Sequence, residues 1–189
     1  VNEQLQLDSQ GQLIDTLCAG ALSAHLQAGD IQGKLGQTLL LHNLANLKAR
    51  RVLLVGIGKD EELSDSNARK LVSAILSTFK NLSIKDATLA FADLTFKDRN
   101  AYSSARLVAE CLVDGLYVFD QFKSEKAPIV QLNLITFACH QDQQVAVEKA
   151  CKHGKAIASG MAFTRDLGNM PPNICHARYL AEQAQELGK

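Results

Sequence analysis

Apolar residues recur along the chain with two spacings, and each spacing predicts a kind of element. Between Leu13 and Ala28, the residues Leu13, Leu17 and Ala21 form a stripe with Ile14, Cys18, Leu22 and Leu26 beside it. That is the three-to-four-residue period of a helix packed along one side. Gly29, Gly33 and Gly36 then interrupt the pattern. Two apolar runs follow, Gln37 to Leu44 and Arg51 to Ile57, joined by the short polar connection 45–50. The second run is almost wholly apolar, which predicts a strand covered on both faces. Gly56 and Gly58 end it. Ser64 then offers an oxygen to the free amides of a helix over Asp65 to Leu82, with Leu71, Val72, Ile75, Leu76 and Phe79 inward.

A third strand is predicted over Ala87 to Asp93, and a helix over Asn100 to Phe119. The inner face of that helix is Leu107, Val108, Cys111, Leu112, Gly115, Leu116 and Phe119. A fourth strand spans Val130 to Ala138, where Val130, Leu132 and Leu134 alternate with Gln131 and Asn133, giving one wetter face. Strands alternating with helices define an α/β sheet between helical layers. The short first connection allows an antiparallel pair, so the sheet is expected to be mixed.

The last third reads differently. One long helix is predicted from Gln141 to Arg165, with Ala150, Ala156, Ile157, Ala158, Met161 and Ala162 among Glu148, Lys149, Lys152 and Lys155. Small apolar residues on such a helix suit packing between two bodies. Asn169 to Asn173 is expected to be extended, because each proline disfavours helix in the residue before it. A short helix begins near Ala177. Its Leu180, Ala181, Ala184 and Leu187 have no core of their own among 169–189, so this segment is expected to be mobile or held by a neighbouring copy.

The composition supports a folded domain. Of 189 residues, 47% are hydrophobic and 21% charged, with 20 Lys+Arg against 20 Asp+Glu. A compact chain of this length buries roughly 70% of its extended surface, enough for a core without staples. Formal neutrality disfavours strong sequence-independent nucleic-acid binding, which needs a basic excess. No apolar run reaches the roughly 20 residues that span a bilayer, and Val1 to Gln12 has no apolar stretch like that of a secretion signal. Cys18, Cys111, Cys139, Cys151 and Cys175 are odd in number, widely spaced and mostly set in apolar patterns. A reducing, cytoplasmic setting follows as the expectation.

Candidate chemistry is sparse. Gly56-Ile57-Gly58-Lys59 after an apolar strand invites a phosphate-loop reading. The dinucleotide and Walker spacings are missing, and Asp60-Glu61-Glu62 would repel a phosphate, so a strand-ending turn is the better reading. His25, His42, His140, His153 and His176 form no metal-binding motif, and no cysteines are spaced as a CxxC pair. Cys139 and His140 would point to opposite faces of a strand. Cys151 and His153 stand about 200° apart around a helix. Ser103-Ser104 and Ser159-Gly160 have no elbow or triad context. No catalytic, metal or cofactor-binding residue is therefore assigned. Lys149, Lys152 and Lys155, and separately Lys48, Arg50 and Arg51, make small basic clusters of the kind found on solvated faces.

The segment Thr164-Arg165-Asp166-Leu167-Gly168-Asn169-Met170-Pro171-Pro172-Asn173-Ile174-Cys175 resembles the junction of the leucyl (cytosol) aminopeptidases, a family of two-metal exopeptidases, in its bacterial form. Gly36 to His42, Arg51 to Lys59, Phe119 to Lys123 and His153 to Ala158 are similar to the family's amino-terminal domain. The resemblance implies a three-layer, macro-domain-like α/β domain over 1–140, a linking helix over 141–168, and the start of a catalytic domain over 169–189. It also implies a strand before the first helix, for which little sequence precedes Gln4. The family holds two divalent ions, Mn or Zn, with Lys, Asp and Glu from FDSGG-type and NTDAEGR-type segments. Neither string occurs in this chain. These residues are thus expected to be a non-catalytic segment serving assembly and active-site access in a hexamer. The alternatives are a DNA-binding accessory domain, resting on Lys149, Lys152 and Lys155, and a module binding ADP-ribose-type small molecules.

Overall fold

A computed structural model describes residues 5–59, 62–128 and 130–188. The start of the chain, where a first strand is implied, and Asp60-Glu61 of the acidic run lie outside the described residues.

The first helical stripe folds as two helices, α1 (Ser9–Leu17) and α2 (Ala21–Ala28), not one. Ala19 and Gly20 between them have φ of 56° and 83°. The Gly20 amide bonds back to the Asp15 carbonyl at 2.8 Å, closing α1 with a left-handed cap. Asp15 then caps α2, accepting from the amides of Leu22 (2.7 Å) and Ser23 (3.0 Å). The apolar period runs on through the corner because both helices lay the same face on the same strands.

Those strands are β1 (Thr38–His42) and β2 (Arg51–Val55), an antiparallel pair running from Thr38↔Val55 to His42↔Arg51. The expectation for β2 holds. Val52 and Leu54 pack with Cys18, Leu22 and Leu41 beneath α1 and α2, while Leu53 and Val55 pack on the main core.

The main core gathers α3 (Asp65–Lys80), β3 (Asp86–Ala90), α4 (Ala101–Asp114) and β4 (Leu134–Ala138). Ser64 caps α3 by accepting from the Asn67 amide, and all five predicted inner residues of α3 are buried. Strands β3 and β4 pair in parallel from Asp86↔Leu134 to Ala90↔Ala138. Both strand directions are present, as expected. Among the described residues, however, the hydrogen bonding makes two two-stranded sheets, joined to no continuous ladder.

The start of β4 and the end of α4 differ from the pattern. Strand β4 starts at Leu134, because the Asn133 and Leu134 amides both reach the Lys85 carbonyl and the ladder begins there. The alternation slips at that point: Leu134 faces solvent, and Ile135 and Phe137 turn to the core. Helix α4 ends at Asp114 rather than Phe119. A Cβ on Gly115 would stand 2.4 Å from Leu76 Cδ1, so the chain passes tightly over α3 there. The Leu116 and Tyr117 amides then make i→i−3 bonds that turn the chain away.

Helix α5 (Gln144–Asn169) is 26 residues long, preceded by a 3₁₀ turn over Gln141–Gln143, and runs further than predicted. Its seam on α4 is built of small residues: Ala150, Gly154 and Ala158 are buried. A Cβ on Gly154 would lie 2.7 Å from the Arg106 carbonyl oxygen and 2.8 Å from Ala109 Cβ. One of the two bodies that α5 was expected to join is thus α4. In the proline segment Asn169 still belongs to α5, Met170 is extended, and the Ile174 and Cys175 amides fold back on the Pro171 carbonyl as a turn. Helix α6 (Ala177–Leu187) begins where expected and contains no buried residue.

Candidate functional site

Residues singled out by their chemistry mostly find local structural partners. The Gly56 amide donates to the Gln37 carbonyl at 2.8 Å and the Gly58 amide to the Gly33 carbonyl at 3.0 Å. Gly56 is itself pressed on the 33–34 backbone: a Cβ there would be 2.3 Å from the Lys34 carbonyl oxygen. Amides occupied by the neighbouring loop are not presented to a phosphate, which removes the geometric basis of a phosphate loop.

The histidines scatter. His25 Nδ1 sits 2.6 Å from Asp30 Oδ2, and His176 Nδ1 accepts from the Tyr179 amide to cap α6. His42 ends β1, and His140 Nε2 lies 3.7 Å from Asp93. His153 Nδ1 is 2.7 Å from the Tyr102 hydroxyl, tying α5 to α4. Among the described residues no three His, Cys, Asp or Glu side chains converge as a metal would need. All five cysteines are free. Burial pushes the thiols of Cys111 and Cys151 up, away from the thiolate a nucleophile needs. Ser103 forms a capping box with Asn100, Ser104 is buried, and Ser159 lies exposed on α5. Lys152 pairs with Glu148 at 2.7 Å, which interrupts the basic strip between Lys149 and Lys155.

The described residues converge instead at the far end of α5, at the junction segment. Arg165 forms a close ion pair with Asp114 at the end of α4, and its guanidinium carbon lies 4.6 Å from the Tyr117 ring centroid. The Tyr117 hydroxyl donates to Asp166 Oδ1 at 2.8 Å and accepts from Asn169 Nδ2 at 3.3 Å. Burial and the Asp166 carboxylate push the Tyr117 phenol up, so it remains a donor. Arg165, Asp166 and Asn169 share one side of the last two turns of α5. Together they clamp those turns to the chain leaving α4. These three residues stood out in the sequence only as part of the junction segment, with the helix expected to end at Arg165; their partners Asp114 and Tyr117, some fifty positions earlier, carried no signal.

Beyond the clamp, α5 has an uncovered side. Ile157, Met161 and Phe163 of α5, with Leu187 of α6, line a wide open depression of about 1060 Å³. Leu180 and Leu187 are 44% and 75% exposed. The molecule exposes 12443 Å² of surface, whereas a compact monomer of this length exposes about 8,900 Å².

The described residues thus form an α/β body, a long helix clamped to it and a helical end with an uncovered apolar side. The description "Cytosol aminopeptidase family, N-terminal domain" matches residues 1–126, and the chain belongs to that family. It is 54% identical over all 189 residues to a probable cytosol aminopeptidase of Pseudomonas fluorescens, and 52% identical to the cytosol aminopeptidase of Pseudomonas aeruginosa. In each case the match covers 100% of this chain and 38% of the relative's length. Among solved structures, a mutant of tomato leucine aminopeptidase superposes with a TM-score of 0.72 at 24% identity. That match covers 98% of this chain and 36% of the other. The bottromycin maturation enzyme BotP in complex with Mn gives 0.66 at 24% identity, covering 87% and 32%. These two likenesses show the fold.

Proposed function

We propose that these residues are the non-catalytic amino-terminal segment of a two-metal leucyl aminopeptidase of the cytoplasm. In this reading 1–140 is the α/β domain, 141–168 the linking helix and 169–189 the opening of the catalytic domain. The observation that carries it is the uncovered side of α5 and α6, where apolar side chains face solvent on a molecule with far more surface than its length requires. An amphipathic helix with no buried residue gains its stability from packing on a partner, and the catalytic domain is the partner proposed.

The clamp of Arg165, Asp166 and Asn169 gives that reading its mechanics. It holds the end of α5 against α4, so whatever follows Met170 leaves the domain in a set direction. Such a fixed arm suits a segment that helps assemble a hexamer and restricts access to its active sites. The two divalent ions, Mn or Zn, belong to the remainder of the enzyme; the described donors do not converge to hold them, so no step of peptide hydrolysis is derived from this chain. The peptide amino terminus, often leucine, is likewise the remainder's substrate. The occupied amides at Gly56 and Gly58 and the Lys152–Glu148 pair leave the phosphate-binding and DNA-binding alternatives without support.

The test is to assay the 189-residue chain and the longer enzyme on a leucyl chromogenic substrate with added manganese or zinc. The expected outcome is leucine release by the longer enzyme alone, abolished by chelator. Release by the purified 189-residue chain would overturn the proposal.

A further inference from the structure

Helices α4 and α5 leave a shallow groove of about 420 Å³ on the side away from the core, lined by Tyr102, Ser103, Arg106, His153, Ala156 and Ile157. Much of this lining has a structural role. The Tyr102 hydroxyl and His153 Nδ1 tie the helices together at 2.7 Å, their rings meet edge-on, and Ser103 caps α4. Arg106 has no such role. Among the described residues its guanidinium makes no hydrogen bond or ion pair, and the nearest acid on its own helix face, Glu110, is taken by Arg69 at 3.6 Å. The two other guanidiniums that flank the start of α4 and the end of α5, Arg99 and Arg165, are each matched by an aspartate.

We propose that this groove binds a small carboxylate that carries an apolar side chain, such as the C-terminal residue of a peptide or a free N-acyl amino acid. Arg106 supplies the planar fork that grips a carboxylate with two parallel hydrogen bonds. With Nδ1 engaged by Tyr102, the remaining nitrogen of His153, Nε2, is the second polar group of the groove. Ala156 and Ile157 form the apolar wall, and Ile157 is 37% exposed in the free chain. One permanent cation matches one negative charge. A phosphate dianion would call for a second cation, which the lining lacks. Ala156 and Ile157 also border the side of α5 proposed above to be covered by a catalytic domain, so the binding is proposed for the chain with that side open.

The test is a titration of the ¹⁵N-labelled 189-residue chain by NMR with four probes: N-acetyl-leucine, N-acetyl-leucinamide, acetate and inorganic phosphate. The proposal predicts saturable shifts with N-acetyl-leucine, centred on Tyr102, Arg106, His153 and Ile157. The amide and acetate should each bind about tenfold more weakly or worse, having lost the charged contact or the apolar one. A leucyl peptide ending in a free carboxylate, run beside N-acetyl-leucine, tells the two sources apart by which binds tighter. Arg106→Gln should weaken N-acetyl-leucine about tenfold or more while leaving shifts elsewhere unchanged. Tyr102→Phe, which keeps Arg106, should weaken it less. Equal binding of acid and amide, tighter binding of phosphate, or no saturable shift at the groove would overturn the proposal.

Discussion

Helices α3 and α6 are both amphipathic and both carry a side-chain cap, Ser64 on one and His176 on the other. Their fates differ completely. In α3 the apolar stripe is sealed: Leu71, Val72, Ile75, Leu76 and Phe79 are all buried against α4 and the strands. In α6 nothing is buried, and Leu187 is three-quarters exposed. Periodicity thus specifies that a helix forms and which face is apolar; it does not say whether the covering surface lies in the same chain. The boundary between the two regimes falls within α5, which packs on α4 through Ala150, Gly154 and Ala158 and carries the polar clamp in its last turns.

The sharpest way to break this contrast is to truncate on both sides of it. Phe79→Ala should destabilise the chain by about 3–5 kcal/mol in urea unfolding, because it empties a buried aromatic site. An effect under about 1 kcal/mol would mean that the main core is not the source of stability. Gly154→Ala comes next. The new methyl should favour helix by up to about 1 kcal/mol, yet it meets the backbone of α4 below 3 Å, and backbone cannot swing aside. Overpacking wins, for a net loss of about 1–2 kcal/mol in the same measurement.

Asp15→Ala removes three accepted hydrogen bonds at the corner between α1 and α2 and should cost about 1–2 kcal/mol, as lost caps do. The same residue gives a pH signature. Ser23 bonded to Asp15, Arg99 bonded to Asp65, and Ser9 bonded to Asp93 hold these carboxyls below the usual range. A depressed folded pKa means that the unfolded chain takes up protons first. The contribution is therefore complete above the ordinary carboxylate value of about 3.9 and lost as pH falls through the lowered values. Acid unfolding followed by circular dichroism should show this loss below about pH 4, and less of it in Asp15→Ala. The smallest effect is expected at the far end: Leu187→Ser should change stability by no more than about 0.5 kcal/mol, since the side chain is already in water.

Much of the body was legible in the residues. Ser64, the α3 stripe, the two-faced Val52 to Val55 and the start of α6 follow from local chemistry, which acts within a turn or two of the chain. What was not legible depended on distant contacts or on left-handed backbone. The break between α1 and α2 hid beneath a continuous stripe, although Gly20 stood at the corner. Leu134 kept its strand alternation on paper, while its pairing register, set by Lys85, turned it outward. The clamp shows the same limit. Arg165, Asp166 and Asn169 lie in a recognisable segment, yet their partners Asp114 and Tyr117 are brought to them only by the packing of α4 on α5. The family was readable from the junction and the strands; that α6 buries none of its apolar side chains shows only in the folded chain.

The most direct measurement is hydrogen exchange over Ala177–Leu187 in the 189-residue chain and in the longer aminopeptidase proposed to contain it. Fast exchange is expected in the chain alone and strong protection in the longer enzyme, with Asp65–Lys80 well protected in both. Equal, fast exchange over Ala177–Leu187 in both would contradict it.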